Sequence, residues 1–279
     1  MSLIEFLGFG GYSRPAEGYM SWQHLTLVTA FVAIMITCGI IIGKKYKQKS
    51  DREKNIPLIV TAILIDAFEL FKIIILSVRH GDPLYFRFVL PLFLCSIQLI
   101  TIPLAAFSRG RVKEASLDFV TVFGLLGALL GTYFAGNNFS CYPVISMDNV
   151  VSCITHCLSG FAALYIMISG MCCMKKQNVK ISIGILGAFS VMAYIGNIFW
   201  DCNYMFLSRG DGTPYDIIKS IVGGIPGLYP TTVVGLLVVY IIVFYNVYHF
   251  LAFNHDKKSA DTASSEEKIP EEEAVTMAK

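Results

Sequence analysis

Residues 24–43 read HLTLVTAFVAIMITCGIIIG, and residues 44–55 read KKYKQKSDREKN. The first stretch holds no Lys, Arg, Asp or Glu and is long enough to cross a hydrocarbon layer of about 30 Å as a helix. The second holds Lys44, Lys45, Lys47, Lys49, Arg52 and Lys54, a cluster that resists translocation and marks a cytoplasmic loop. A span followed by a retained basic loop sets both the solvent of this chain and its direction through it.

The rest of the 279 residues follow the same grammar. Hydrophobic residues make up 55% of the chain and charged ones only 15%, with a mean hydropathy of +0.62. A soluble domain carries about 25% charged residues, so one water-facing globule could not bury this much apolar surface. Candidate spans lie at about 24–43, 56–78, 88–107, 117–135, 150–174, 181–199 and 229–254. Arg109, Arg111 and Lys113 follow the third, Lys175, Lys176 and Lys180 follow the fifth, and Lys257 and Lys258 follow the seventh. The intervening loops are poor in Lys and Arg, and 136–149 holds neither. The reading is an all-α polytopic bundle of seven transmembrane helices, N-terminus outside and C-terminus cytoplasmic, in the cell membrane. A short outer segment, 1–23, precedes the domain at 24–254. The opening residues lack a basic region ahead of an apolar core, so no removed signal peptide is expected. The tail 255–279 is polar and acidic and reads as disordered. A net charge of +2 gives no reason to expect nucleic acid as a partner; membrane lipids are the partners such a chain implies.

Function is sought where polarity enters lipid, because ionisable groups there are expensive and face protein or water. The second span carries Asp66, Glu69 and Lys72, three apart on one side of a helix. They suit either an internally neutralised packing patch or the lining of a site. His156 stands in SCITHCLSG between Cys153 and Cys157, and can act as packing residue, general base or ligand. No second cluster completes a metal set, so no metal is expected. Cys95 lies in PLFLCSIQL, residues 91–99. If both spans are helical from their outer ends, Cys95 is about 10 Å deep and His156 about 9 Å, compatible with a thiol and its base meeting. Cys38, Cys172 and Cys173 read as small hydrophobes, and Cys141 and Cys202, both in outer loops, as a candidate disulfide. The longest outer loop, 201–228, runs into GGIPGLYP, which is unsuited to regular helix and able to fold back over the outer mouth.

The ordered set SWQHLTLV, LPLFLCSIQL, THCLSG and NYMFLSRGDGTP…GGIPGLYP resembles the YwaF-like family of bacterial integral membrane proteins, related to eukaryotic transmembrane protein 164. The resemblance covers roughly residues 20–245. It implies a multi-pass bundle, and, from the eukaryotic branch, a phospholipid acyltransferase in which Cys95 accepts the acyl group and His156 deprotonates it. Glu69 would orient the histidine or line the cavity. Phe93 stands where many bacterial members carry a histidine, and YPVISMDN replaces a PHFR-like segment. His24, Asp66, Lys72, Gln98, Asn197, Asn203 and Tyr204 are candidate substrate-binding residues, with Gln98 or Asn197 as oxyanion donor. No soluble cofactor is needed, since lipid supplies both substrates. Two other readings stand beside this one. A transporter or substrate-binding subunit would line its path with Asp66, Glu69 and Lys72, and a non-catalytic envelope protein would need none of these roles.

Overall fold

The computed structural model describes residues 2–172 and 174–266, without the side chains of 252–266. Ten helices appear in them: α1 Leu3–Phe6, α2 Trp22–Tyr46, α3 Asp51–His80, α4 Gln98–Phe107, α5 Gly110–Tyr133, α6 Gly136–Cys141, α7 Met147–Ile168, α8 Asn178–Trp200, α9 Tyr215–Val222 and α10 Leu228–Glu266. Short 3-10 turns cover Tyr85–Phe88 and Tyr204–Phe206. The described residues contain no strand. In lipid each backbone amide needs an internal partner, and only the helix supplies it within one segment.

Five helices, α2, α5, α7, α8 and α10, are long and apolar enough to cross a membrane. Helix α3 has 30 residues but carries three charges inside its apolar stretch. Its start is a capping box: Ser50 accepts from the Glu53 amide while Glu53 reaches back to the Ser50 amide. Its end is Gly81, in the left-handed conformation at φ 63°.

The third expected span differs from its reading as one helix. Regular helix covers only Gln98–Phe107, 10 residues, and Cys95 sits in turns ahead of it. Pro91 is the reason: it has no amide to donate and pushes its predecessor out of helical geometry. The fifth span ends at Ile168 rather than 174. Gly170 takes φ 74°, and the Met171 amide bonds back to the Ile166 carbonyl at 3.1 Å, closing the helix. The seventh begins at Leu228, inside GGIPGLYP. Pro230 is accommodated there because first-turn amides have no partner to lose.

Helix α7 lies at the centre, packed on α5, α2 and α3. Glycines set the close approaches. Gly124 of α5 faces the Ser159 carbonyl, and Gly160 of α7 faces Ala128 and Met35. On α2, Gly39 and Gly43 let Leu164 and Ile168 press against its backbone. Helices α8 and α10 form a second unit against α5, around Phe119, Phe123 and Tyr245. Buried Asp118 ties it down by accepting from the Met174 amide at 2.8 Å, Asn178 Nδ2 at 2.6 Å and the Tyr245 hydroxyl at 3.3 Å.

Cys141 and Cys202 are both free, which corrects the disulfide expectation. The Cys202 thiol is turned into the protein, towards the carbonyls of Arg87 and Trp200, while Cys141 is exposed. Cys173 and residues 267–279 of the expected tail lie outside the described residues; helix α10 occupies the tail as far as Glu266.

Candidate functional site

The segment that carries Cys95 is a helical turn begun early. The Ile97 amide bonds to the Phe93 carbonyl at 3.0 Å, and the Gln98 and Leu99 amides to Cys95 and Ser96 at 3.3 and 3.0 Å. Phe93 thus opens the turn, and the amides of Leu94, Cys95 and Ser96 are its first-turn donors. Among the described residues none of the three has an acceptor. A helix start leaves such groups unsatisfied and biases the local field towards negative charge. Cys95 therefore stands at a donor-rich end.

His156 comes from the third turn of α7. Its Nδ1 lies 2.7 Å from the Ser152 carbonyl, which can only accept, so Nδ1 carries the proton. Nε2 is left with its lone pair, as a general base requires. Cys95 and His156 line one cavity of about 40 Å³ and are near enough to interact directly. Ile65, Glu69, Lys72, Ser96, Leu99 and Thr155 complete the lining. Glu69 accepts from Lys72 Nζ at 2.6 Å, so the two charges arrive as a neutral pair. Glu69 lines the cavity, while the group that orients His156 is the Ser152 carbonyl. A cavity of this size holds a water or two.

The other sequence candidates divide. Gln98, buried, begins α4 next to Cys95. Its Oε1 accepts from Thr101 at 3.0 Å and its Nε2 has no partner. Asp66 is exposed on the surface of α3 and does not line the cavity. His24, fully buried, pins the N-terminal end of α2. Its Nδ1 accepts from the Met20 amide at 3.1 Å, leaving Nε2 to donate to the Thr132 carbonyl at 3.2 Å.

Asn197, Asn203 and Tyr204 build the loop after α8 and do not line the Cys95 cavity. Asn197 donates to the Tyr204 carbonyl at 3.1 Å and accepts from its amide at 2.6 Å. Asn203 accepts from the amides of Ser208 and Arg209 and donates to the Arg209 carbonyl. The Tyr204 hydroxyl donates to the Arg87 carbonyl. Its ring meets Phe93 edge-on at 5.1 Å, with Phe206 at 6.3 Å from Phe93. The loop thus folds back onto the segment that bears Cys95.

The sequence model of the TMEM164 family matches residues 19–248. The chain belongs to the TMEM164 family. The match takes in every residue of the Cys95 cavity and bears out the kinship with YwaF-like proteins. No curated protein and no solved structure matches the chain.

Three parts of this TMEM164-family site escape the reading of the sequence. One is glycine. A Cβ on Gly131 of α5 would fall well inside contact distance of the His156 ring, whereas one on Gly127 would meet Cys95 Cβ at an ordinary 3.6 Å. The signal was GLLGALLG at 124–131, small residues at helical spacing. Another is Thr155, which abuts His156 in sequence and cavity alike. The third is a clasp about two helical turns from the cavity. Arg79 grips Asp148 with both nitrogens, at 2.8 and 2.6 Å, and the Tyr12 hydroxyl donates to the same carboxylate at 2.6 Å. Burial and this carboxylate push the Tyr12 phenol above its ordinary range. The Asp148 bond holds Arg79 above its own. Glu17 accepts from the Val144 amide at 2.7 Å, so the N-terminal segment straps the C-terminal end of α3 and the N-terminal end of α7.

Proposed function

We propose that the chain is a lipid acyltransferase working through Cys95 and His156. The observation that carries this is one cavity in which a thiol at a donor-rich helix start faces an imidazole whose tautomer is fixed by Ser152. The Cys95 S–H passes its proton to His156 Nε2, and the sulfur attacks the ester carbonyl of a membrane phospholipid. The carbonyl oxygen takes the electron pair and is held by the Cys95 and Ser96 amides and Gln98 Nε2. The ester C–O bond then breaks, and His156 returns the proton to the leaving alkoxide, giving a thioester and a lysolipid. A second lipid hydroxyl, deprotonated by His156, attacks the thioester and restores the thiol. Lys72 and Glu69 keep the floor of the cavity polar without adding net charge. The present volume admits water only, so substrate entry requires α3 and the 89–97 turn to part.

In this reading the chain crosses the cell membrane seven times with its N-terminus outside. Helix α3 and the 85–107 segment add two passes to the five apolar helices, and the alternating basic loops support the direction.

The test is mass spectrometry of the Cys95 peptide after incubating purified protein with an acyl-labelled phosphatidylcholine. Wild type is expected to carry the labelled acyl group as a hydroxylamine-sensitive thioester. Cys95→Ser should carry none, and His156→Ala should acylate about 10²–10⁴-fold more slowly. Transfer of the label to a lysolipid at an unchanged rate by Cys95→Ser would refute the assignment.

A further inference from the structure

Helices α2 and α3 follow each other in sequence but pack on α7 rather than on one another. The gap between them is a groove of about 560 Å³, the size of a small-molecule site. Ile34, Cys38 and Ile42 of α2, Val60 and Leu64 of α3 and Phe161 of α7 form its apolar walls. Its α2 wall runs from Phe31 to Tyr46, about 22 Å at 1.5 Å per residue. That exceeds one leaflet's share of the hydrocarbon layer, about 15 Å, so an extended acyl chain fits along it.

The walls are apolar, but one end is not. Lys45 and Tyr46 close the groove where α2 meets the basic loop. Lys49 of that loop is paired with Glu53 at 3.4 Å, whereas Lys45, exposed, has no hydrogen-bonding or ion-pair partner among the described residues. The Tyr46 ring is fixed edge-on to Tyr165 at 6.3 Å, and its hydroxyl likewise has no partner among them. A dry slot ending in a free ammonium and a free phenol matches one kind of molecule in a bilayer, a lipid with a negative phosphate on an acyl tail. Basic pockets between helices at the cytoplasmic side recognise anionic head groups by this chemistry.

We propose that this groove binds an anionic phospholipid, its tail along α2, α3 and α7 and its phosphate on Lys45 and Tyr46. The site shares no lining residue with the Cys95 cavity and does not depend on the acyl-transfer reading.

The experiment is native mass spectrometry of full-length protein equilibrated in mixed micelles with equal amounts of phosphatidylglycerol and phosphatidylcholine. Wild type is expected to retain one phosphatidylglycerol in preference to phosphatidylcholine. Lys45→Gln should lower that preference about fivefold, the share of one lysine near a surface, while Lys47→Gln, in the same loop but not in the groove, should leave it unchanged. Val60→Trp, which fills the slot, should lose bound lipid of either kind. Equal effects of Lys45→Gln and Lys47→Gln would assign the preference to the loop's general field and overturn the proposal, as would an unchanged preference in Lys45→Gln. The lysine comparison stands even if the tryptophan variant fails to fold.

Discussion

At the scale of single residues, the site depends on what is missing from Gly131. His156 occupies the space a methyl group there would need, so Gly131→Ala must turn the imidazole away from Cys95 or push α7 off α5. The general-base contribution, about 10²–10⁴-fold, should be lost in acylation measured by thioester formation. Gly127→Ala on the same face, in ordinary contact with Cys95, should keep most of it. Equal rates for the two variants would show that the ring is not held where the geometry puts it. The Arg79–Asp148–Tyr12 clasp gives a second prediction. Asp148 takes two nitrogens from Arg79 and the hydroxyl of Tyr12, so Asp148→Ala strands a half-buried guanidinium. Losing one partner of such a pair costs about 3 kcal/mol, readable as a lowered melting temperature. Tyr12 adds a pH signature. Its folded value lies above the ordinary tyrosine value of 10.0, so its contribution is complete below that pH and is lost as pH rises beyond it. Cleavage within the N-terminal strap, at Arg14, should therefore quicken above about pH 10, and Tyr12→Phe should flatten that dependence.

At the scale of elements, the segment bearing Cys95 has little structure of its own and borrows its position. A 3-10 turn, a proline and one irregular turn lead into a helix of 10 residues. What fixes them is the loop after α8, through Tyr204 on the Arg87 carbonyl and the Phe93–Tyr204 ring pair. Asn197 fixes that loop in turn by bonding both polar groups of the Tyr204 backbone. Asn197→Ala leaves the Tyr204 amide buried and unpaired, while the carbonyl keeps the Leu207 amide at 3.2 Å, and should cost roughly 1–3 kcal/mol. Asn197→Asp keeps the acceptor for the amide and should lose less. If the brace positions Cys95, alkylation of that thiol should rise in Asn197→Ala before the protein unfolds. A labelling rate unchanged from wild type would separate the loop from the site. Phe93 acquires a physical role here as an aromatic contact holding the turn, where a histidine would have offered a polar group.

At the scale of the whole molecule, legibility followed physics. Apolar length and loop charge place the long helices, because lipid leaves the backbone one local solution. Cys95 and His156 were reachable from their polarity in lipid and from family motifs, although the helical ruler that set Cys95's depth did not apply past Pro91. The loop-tying bonds of Asn197, Asn203 and Tyr204 were not legible, because a polar residue that ties a loop and one that binds a substrate look alike in sequence. Asp118 was passed over for a related reason: its donors come from α8, α10 and residue 174, all distant in the chain. The direction of the bundle through the membrane still rests on loop charge, and the cysteines offer a way to test it. Cys141 is exposed in the connection between α5 and α7, which loop charge places outside, while Cys153, Cys157 and Cys202 are buried. A membrane-impermeant maleimide on intact cells should label wild type and lose that signal in Cys141→Ser. In the Cys141→Ser background, Lys49→Cys places a thiol in the loop that opens the sequence argument, and it should label only after permeabilisation. Labelling of Lys49→Cys in intact cells would invert the bundle. It would move the donor-rich end at Cys95 to the cytoplasmic leaflet and the Lys45 groove to the outer one.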